Sequence, residues 1–250
     1  MKATIKTATE IAAMREGGQM LAQVLAHVSS AMKPGMTTAD LDVLAAAETK
    51  RLGGEAAFRG HEGFPASICT SINEAVVHGI PSKRVLREGD VVGLDFGVRY
   101  QGLITDSAVT VALGEVAAPA RRLLKVTEEA LYNGIDQARA GNHVGDVSAA
   151  VERHLRRGGL GIIKELAGHG VGYDLWEEPQ IPNLGVAGSG PVLKPGMTVA
   201  IEPMATLGGA GIQVLEDGWT IVTRDNSLAA QFEHTVVITD GAAEILTASV

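Results

Sequence analysis

The sequence lacks the features of a secreted or membrane-bound protein. It has a single cysteine, Cys69, so no intramolecular disulfide can form and a disulfide-scaffolded secreted domain is excluded. No uncharged apolar run approaches the length that spans a membrane. The first residues contain no apolar core of the kind that a signal peptide needs, so none is expected. A cytoplasmic location is the simplest expectation.

Clustered positive charge is also missing. The chain has 21 Lys and Arg against 29 Asp and Glu, a net charge of −8, and its basic residues occur only in short pairs. Because nucleic acid binding needs a basic face, nucleic acid is not expected as the main ligand. What is present is a globular composition of 250 residues, 46% hydrophobic and 20% charged. That length is enough for one sizeable core or two small ones.

Two aspartates lie within sequence that otherwise predicts β-strands. Residues 91–97 and 103–108 contain Asp95 and Asp106 among alternating apolar residues. A turn at residues 100–102 would pair these strands and bring the carboxylates together. A single carboxylate in a strand is explained equally well by a salt bridge or by a position at the sheet edge. Two adjacent carboxylates, however, repel each other unless they share a proton or a cation. The pair therefore predicts a hard divalent metal ion.

Three further side chains of the metal-ligand type follow along the chain. His169 lies between glycines, Glu202 ends an apolar segment, and Glu233 precedes another. Each is weak evidence by itself, since a lone histidine is more often structural. With the two aspartates they form an oxygen-rich, sulfur-free set, which suits two adjacent Mn, Fe(II), Co or Zn ions rather than a thiolate-bound structural zinc. Sites of this kind activate water for hydrolysis.

Helical spacing of apolar residues predicts four helices. They cover about residues 8–32, 38–52, 119–135 and 146–157, and a Thr7–Glu10 capping box opens the first. Strands are predicted at residues 67–70, 75–81, 198–201, 219–223 and 232–239, in addition to the aspartate hairpin. Helices followed by strands, twice over, favour an α+β architecture.

An internal repeat divides the chain. Gly35 corresponds to Gly141 at a spacing of 106 residues, and Asp95 corresponds to Glu202 at a spacing of 107. A repeat whose matching positions are both metal-ligand types is hard to explain by structure alone. It predicts one catalytic domain over residues 1–250, built from two pseudo-symmetric halves at about 7–114 and 115–246 around a central site.

In their order and spacing, the five candidate ligands resemble those of the methionine aminopeptidases, in the short bacterial type I form. Supporting motifs lie at residues 64–73, 77–81, 177–180, 194–197, 216–219 and 230–235, and the resemblance spans about residues 7–246. It implies the pita-bread (creatinase/aminopeptidase) fold, a pseudo-two-fold antiparallel sheet backed by four helices. It also implies removal of the initiator methionine from nascent chains by a cytoplasmic enzyme. Members are mostly monomeric, and the ribosome is a candidate partner.

The resemblance implies a role for each ligand. Asp95 would hold one metal ion, His169 and Glu202 the other, while Asp106 and Glu233 would bridge the two. A water or hydroxide between the ions would attack the carbonyl of the first peptide bond, and Glu202 would shuttle the proton.

The resemblance also implies the residues that contact substrate. His78 would hydrogen-bond the substrate near the scissile amide, and Phe64, Cys69 and Trp219 would line the methionine pocket. A thioether suits such a soft, aromatic-walled slot. Cys69 alone is equally explained as a small buried hydrophobic residue, and no motif pairs it with a base that would make it a nucleophile.

The chain departs from the family pattern beside the cleft. Trp176 stands where a second active-site histidine is expected, His61 stands where a pocket aromatic is common, and Leu175 replaces a typical phenylalanine. Tryptophan has one N–H donor, no acceptor and no charge near neutral pH. Losing one transition-state donor costs on the order of 100-fold in rate. We therefore expect an altered rate, substrate range or inhibitor response, with Trp176 and His61 in the substrate-binding region.

Three other functions fit parts of the sequence. The chain could be a specialised or slow paralogue, because of Trp176. It could be a proline-peptide hydrolase of the prolidase or aminopeptidase P kind, although those normally carry a large N-terminal domain. It could be a non-catalytic binding relative, although such relatives usually lose metal ligands and all five are present here. Bound metal discriminates the last function from the others.

Overall fold

The helices and strands are taken from a computed structural model, which describes residues 3–248. The helices are α1 (Ala8–Ala31), α2 (Thr38–Leu52), α3 (Ala118–Ile135) and α4 (Val144–Arg157). The first seven strands are β1 (Glu55–Ala56), β2 (Ile68–Ile72), β3 (Ala75–Val77), β4 (Val91–Tyr100), β5 (Leu103–Ala112), β6 (Gly161–Ile162) and β7 (Ala167–Gly170). The others are β8 (Glu177–Pro182), β9 (Thr198–Ile201), β10 (Met204–Thr206), β11 (Ile212–Val214), β12 (Ile221–Thr223), β13 (Ala229–Gln231), β14 (Glu233–Val237) and β15 (Glu244–Ile245).

The four predicted helices are confirmed, and local capping explains where they begin. Before α1, the Glu10 carboxylate accepts the Thr7 N–H at 2.7 Å, and the Thr7 hydroxyl accepts the Glu10 N–H at 3.3 Å. Helix α4 begins two residues earlier than predicted. Asp146 is its third residue rather than its first, and its carboxylate accepts the N–H of His143 at 2.7 Å.

Nine strands form one sheet in which every pairing is antiparallel. The order is β1-β4-β5-β14-β9-β7-β8, with β2 also paired to β4 and β15 to β14. Two three-stranded sheets, β13-β10-β6 and β11-β12-β3, contain the other strands. The predicted aspartate hairpin is β4–β5, and its turn residues Gln101 and Gly102 have φ of 49° and 80°. Positive φ at both positions matches the twist of a two-residue hairpin.

The helices cover one face of the large sheet. Along β4, alternate residues pack with α1 and α2 in one core, and they are Val92, Leu94, Phe96 and Val98. Along β9, Val199 and Ile201 pack with α3 and α4 in a second core. Because side chains alternate across a strand, the intervening residues Asp95 and Ala200 lie on the face opposite the helices. That face carries the candidate site.

Several strand predictions need correction. The strand predicted at 232–239 is β14, which covers only Glu233–Val237, because Phe232 separates it from β13 and its side chain joins the core under α3 and α4. The strand predicted from residue 219 begins at Ile221, since Asp217 Oδ1 accepts the N–H groups of residues 219 and 220 in a turn. Strand β7, which contains His169, and strand β8 were not predicted from the sequence.

Candidate metal centre

The candidate ligands occupy two neighbouring rows of the sheet. The first row consists of register partners in adjacent strands: Cys69 (β2), Asp95 (β4), Ala108 (β5) and Glu233 (β14). Ile201, the last residue of β9, pairs with His234. The next residue, Glu202, therefore extends the first row.

The second row lies two residues along each strand, on the same face. Its members are Gly97 (β4), Asp106 (β5), Thr235 (β14), Ala200 (β9) and His169 (β7). The Thr235 hydroxyl accepts the Asp106 N–H at 2.9 Å and donates to the Asp106 carbonyl at 2.7 Å. Backbone pairing thus holds all five candidate ligands on one patch of the sheet.

Their ligand atoms converge. Ligand atoms of Asp106, His169 and Glu233 all lie within 4.8 Å of one another. His169 Nε2 is 3.5 Å from Glu202 Oε1 and 4.0 Å from Asp106 Oδ2. The fifth candidate, Asp95, is buried in the adjoining position of the first row.

Burial dominates the electrostatics of this patch. Desolvation raises the pKa of Asp95 to about 7. It also raises the pKa values of Asp106, Glu202 and Glu233 well above the ordinary range, and neighbouring carboxylates raise them further. No Lys or Arg within residues 3–248 forms a salt bridge with any of these four groups. A bound cation would stabilise the ionised carboxylates that burial otherwise disfavours.

The donor atoms of the patch fit a divalent metal ion. Asp95 Oδ1, Asp106 Oδ1 and Glu233 Oε1 are buried without a hydrogen-bond partner in the described part of the chain. His169 Nδ1 is 3.0 Å from the Gly170 carbonyl, which can only accept, so Nδ1 carries the proton and Nε2 has a free lone pair. Desolvation lowers the pKa of His169 to about 4, which keeps the ring neutral. Oxygen and imidazole donors of this kind suit Mn, Fe, Co and Zn.

One residue at the centre of the patch, Gln231, was not predicted from the sequence. Gln231 Nε2 lies 3.4 Å from Asp95 Oδ2 and 3.2 Å from Glu202 Oε2. Its backbone is fixed by Thr110, whose hydroxyl donates to the Gln231 carbonyl at 2.6 Å and accepts the Gln231 N–H at 3.0 Å. The one available signal was its position two residues before Glu233, in a segment already identified as a motif.

An apolar slot adjoins the ligands. The five side chains that form its wall in the same cavity are Phe58, Phe64, Cys69, Leu175 and Trp219. Phe64 and Trp219 meet edge to face, with ring centroids 5.1 Å apart. Burial and the nearby Asp95 charge raise the pKa of the Cys69 thiol, so it stays neutral. Phe58 was not predicted, because nothing in its sequence context distinguishes it from a core phenylalanine.

Three further rings line the same cavity. They belong to His61, His78 and Trp176, the remaining predicted substrate-contact residues. Trp176 is 37% exposed and its ring centroid lies 6.4 Å from that of His78. Desolvation lowers the pKa of His78, which favours its neutral form. The structure therefore brings every predicted site residue to one cavity.

Comparison with known proteins agrees with this geometry. The sequence profile of metallopeptidase family M24 matches residues 12–240. The methionine aminopeptidase of Clostridium acetobutylicum is 46% identical over 244 residues, which are 97% of this chain and 98% of that protein. The crystal structure of methionine aminopeptidase from Thermotoga maritima superposes with a TM-score of 0.97 at 44% identity, covering 98% of this chain and 99% of that one.

A proline-specific enzyme shares the fold. The Xaa-Pro dipeptidase of Bacillus anthracis superposes with a TM-score of 0.80 at 24% identity, covering 98% of this chain but 62% of that one. Such a likeness concerns the fold alone.

The pita-bread sheet, its four backing helices and the buried carboxylate–histidine cluster define a metallopeptidase. The chain belongs to metallopeptidase family M24, and within it to the methionine aminopeptidases. The predicted fold class and enzyme class are therefore confirmed. Membership in this family implies the use of a divalent metal ion. No helix within residues 3–248 is long and apolar enough to cross a membrane.

Proposed function

We propose that this chain removes the N-terminal methionine of peptides and nascent proteins with the help of two divalent metal ions. The observation that carries the proposal is the contact between the carboxylate–histidine cluster and an aromatic-walled apolar slot in one cavity. The shared cavity would put the bond after a bound methionine beside the ligands. The names and coverage of the relatives support the same substrate.

By the resemblance, Asp95 would hold one ion, His169 and Glu202 would hold the other, and Asp106 and Glu233 would contribute to both. When bound, divalent ions of this kind polarise a carbonyl and lower the pKa of water. Gln231 orients Asp95 and Glu202 through its two amide hydrogen bonds. Such outer partners set the geometry of the ligands that they contact.

Side chains that line the cavity bind the substrate and transfer the proton. The slot of Phe64, Cys69 and Trp219 holds the methionine side chain by apolar contact. Neutral His78 hydrogen-bonds the substrate beside the scissile amide. Glu202 accepts a proton from the attacking water and delivers it to the departing amine. Its position supports that role, because Glu202 Oε1 lies 3.5 Å from His169 Nε2 and Glu202 lines the same cavity as the slot.

The test is the release of free methionine from a Met-Ala-Ser peptide with Mn(II), Co(II) or Fe(II). We expect release by the wild type and at least about 100-fold less from Glu202→Gln, which keeps the shape but removes a carboxylate assigned both as base and as metal ligand. Cleavage of Ala-Pro rather than Met-Ala-Ser would favour a proline-peptide hydrolase. Bound metal without turnover of either peptide would contradict the proposal. Metal analysis checks the number of ions, and one ion per chain would refute the two-ion assignment.

The proposal extends to the setting of the enzyme. A chain with one cysteine, buried in the core, is compatible with a reducing cytoplasm. We propose a monomer that acts there on new chains, with the ribosome as its partner. Size-exclusion chromatography tests the oligomeric state, and a stable dimer would contradict the monomer. Cosedimentation tests the partner, and an enzyme that does not sediment with ribosomes would contradict ribosome binding.

A further inference from the structure

The imidazole of His61 carries a buried nitrogen that the proposed mechanism does not use. Its Nε2 has no hydrogen-bond partner within residues 3–248, and the side chain lines the cavity of the candidate ligands. Leaving a buried polar nitrogen unpaired is unfavourable. This nitrogen is therefore available for a hydrogen bond to a ligand bound in the cavity.

A tight turn holds His61 in place. The Phe64 N–H donates to the His61 carbonyl at 2.8 Å, and the Gly60 N–H donates to the Phe64 carbonyl at 2.9 Å. Within the turn, Glu62 has a φ of 46°, a conformation that L-residues rarely adopt. Such strain persists where the surroundings determine the backbone, as at ligand-binding turns. The imidazole is therefore presented to the cavity by a fixed backbone.

His61 is also in ring contact with Trp176. Their ring centroids are 4.8 Å apart and their planes cross at 83°, an edge-to-face arrangement. By the resemblance to the methionine aminopeptidases, an aromatic residue is expected at 61 and a histidine at 176, so both positions depart from that pattern. The two departures are thus neighbours in space, although 115 positions separate them in the sequence. Together the two positions still supply one imidazole and one aromatic ring.

We propose that positions 61 and 176 have exchanged roles in this chain, so that His61 supplies the imidazole and Trp176 supplies the aromatic ring. The Nε2–H of His61 donates to a main-chain carbonyl oxygen of the substrate beside the scissile bond, the contact expected of a histidine at 176. Trp176 takes the place of the aromatic wall expected at 61. This inference rests on the proposed function, since it concerns the peptide that is cleaved.

Four variants test the exchange against the wild type, all loaded with the same metal: His61→Phe, His61→Gln, Trp176→His and the double variant His61→Phe with Trp176→His. Phenylalanine keeps the ring packing and removes the donor, so we expect kcat/KM to fall by about 100-fold. Glutamine retains an N–H donor and should retain more activity than phenylalanine. The double variant should regain at least roughly tenfold over His61→Phe, because an imidazole returns to the pair. Metal content and thermal unfolding confirm that each variant is folded.

Two outcomes overturn the proposal. One is a His61→Phe enzyme with kcat/KM within about threefold of the wild type. The other is a fall in kcat/KM for His61→Phe that adding Trp176→His does not restore. If the wild type binds Met-Ala-Ser without cleaving it, the proposed function fails, and the variants are then compared by the Kd for the peptide. The same loss and restoration of affinity would support the exchange, and equal affinities would refute it.

Discussion

A buried ion pair ties the N-terminal segment to the loop that carries Trp176. Lys6 Nζ lies 2.6 Å from Glu177 Oε2, and the two side chains are 0% and 6% exposed. The other oxygen, Oε1, accepts the N–H groups of Tyr173 at 2.6 Å and Asp174 at 3.2 Å. Lys6 Nζ also lies 4.8 Å from the centroid of the Tyr173 ring. The pair therefore fixes the backbone between β7 and β8.

Lys6→Met removes the cation, retains most of the side-chain volume and leaves the Glu177 carboxylate buried. Breaking a buried pair from one side costs about 3–5 kcal/mol, because the remaining charge is uncompensated. For a domain of this length, each kcal/mol shifts Tm by about 2–4 °C. The expected fall in Tm is therefore roughly 6–20 °C.

Arg15 and Glu244 provide a matched control. Their Nε–Oε1 distance is also 2.6 Å, but the side chains are 45% and 40% exposed. An exposed pair contributes about 0–1 kcal/mol, so Arg15→Met should change Tm by no more than about 4 °C. The double variant Lys6→Met with Glu177→Gln should recover part of the loss, because no charge then remains buried.

Thermal unfolding of metal-loaded protein, followed by circular dichroism, measures all four proteins. A fall in Tm for Lys6→Met no larger than that for Arg15→Met would refute the reasoning. A double variant less stable than Lys6→Met would show that lost hydrogen bonds, rather than the uncompensated charge, cause the effect.

Three further predictions concern packing and the metal centre. Gly18→Ala places a Cβ 2.2 Å from the Leu246 carbonyl oxygen, so Tm should fall by several degrees. Gly211→Ala, whose Cβ would lie 3.4 Å from its nearest atom, is the control, and equal shifts in Tm would refute the packing argument. Gln231→Leu should weaken metal binding about 10–100-fold in calorimetric titrations, and unchanged affinity would contradict its orienting role. Chelation should lower Tm, and metal at about 100 times its Kd should restore about 2.7 kcal/mol; a Tm independent of metal would contradict the site.

The aspartate hairpin and the helix starts were predictable because their causes are local. Alternation of apolar residues fixes which face of β4 holds Asp95, and the Gln101–Gly102 turn sets the pairing of β4 with β5. The Thr7 capping box involves only neighbouring residues.

Other parts of the site depend on pairings between distant segments. Gln231 reaches Asp95 across 136 positions, and Lys6 reaches Glu177 across 171. Nothing in the sequence near either residue identifies its partner. The contact of His61 with Trp176 is of the same kind, since each departure was visible in the sequence but their proximity was not. Register between strands, rather than local propensity, supplies this information.

The sheet order β4-β5-β14-β9 shows where the two segments of the sequence repeat lie relative to the candidate site. Its corresponding positions, Asp95 and Glu202, lie in one row, on either side of the central pair β5–β14. The Gln231 side chain, whose backbone is bonded to Thr110 of β5, hydrogen-bonds both carboxylates and so connects the two segments. The buried negative charge is thus divided between the segments of the repeat, so neither segment alone contains the complete ligand set. We therefore expect that metal binding requires both segments to be folded, and that bound metal stabilises their association.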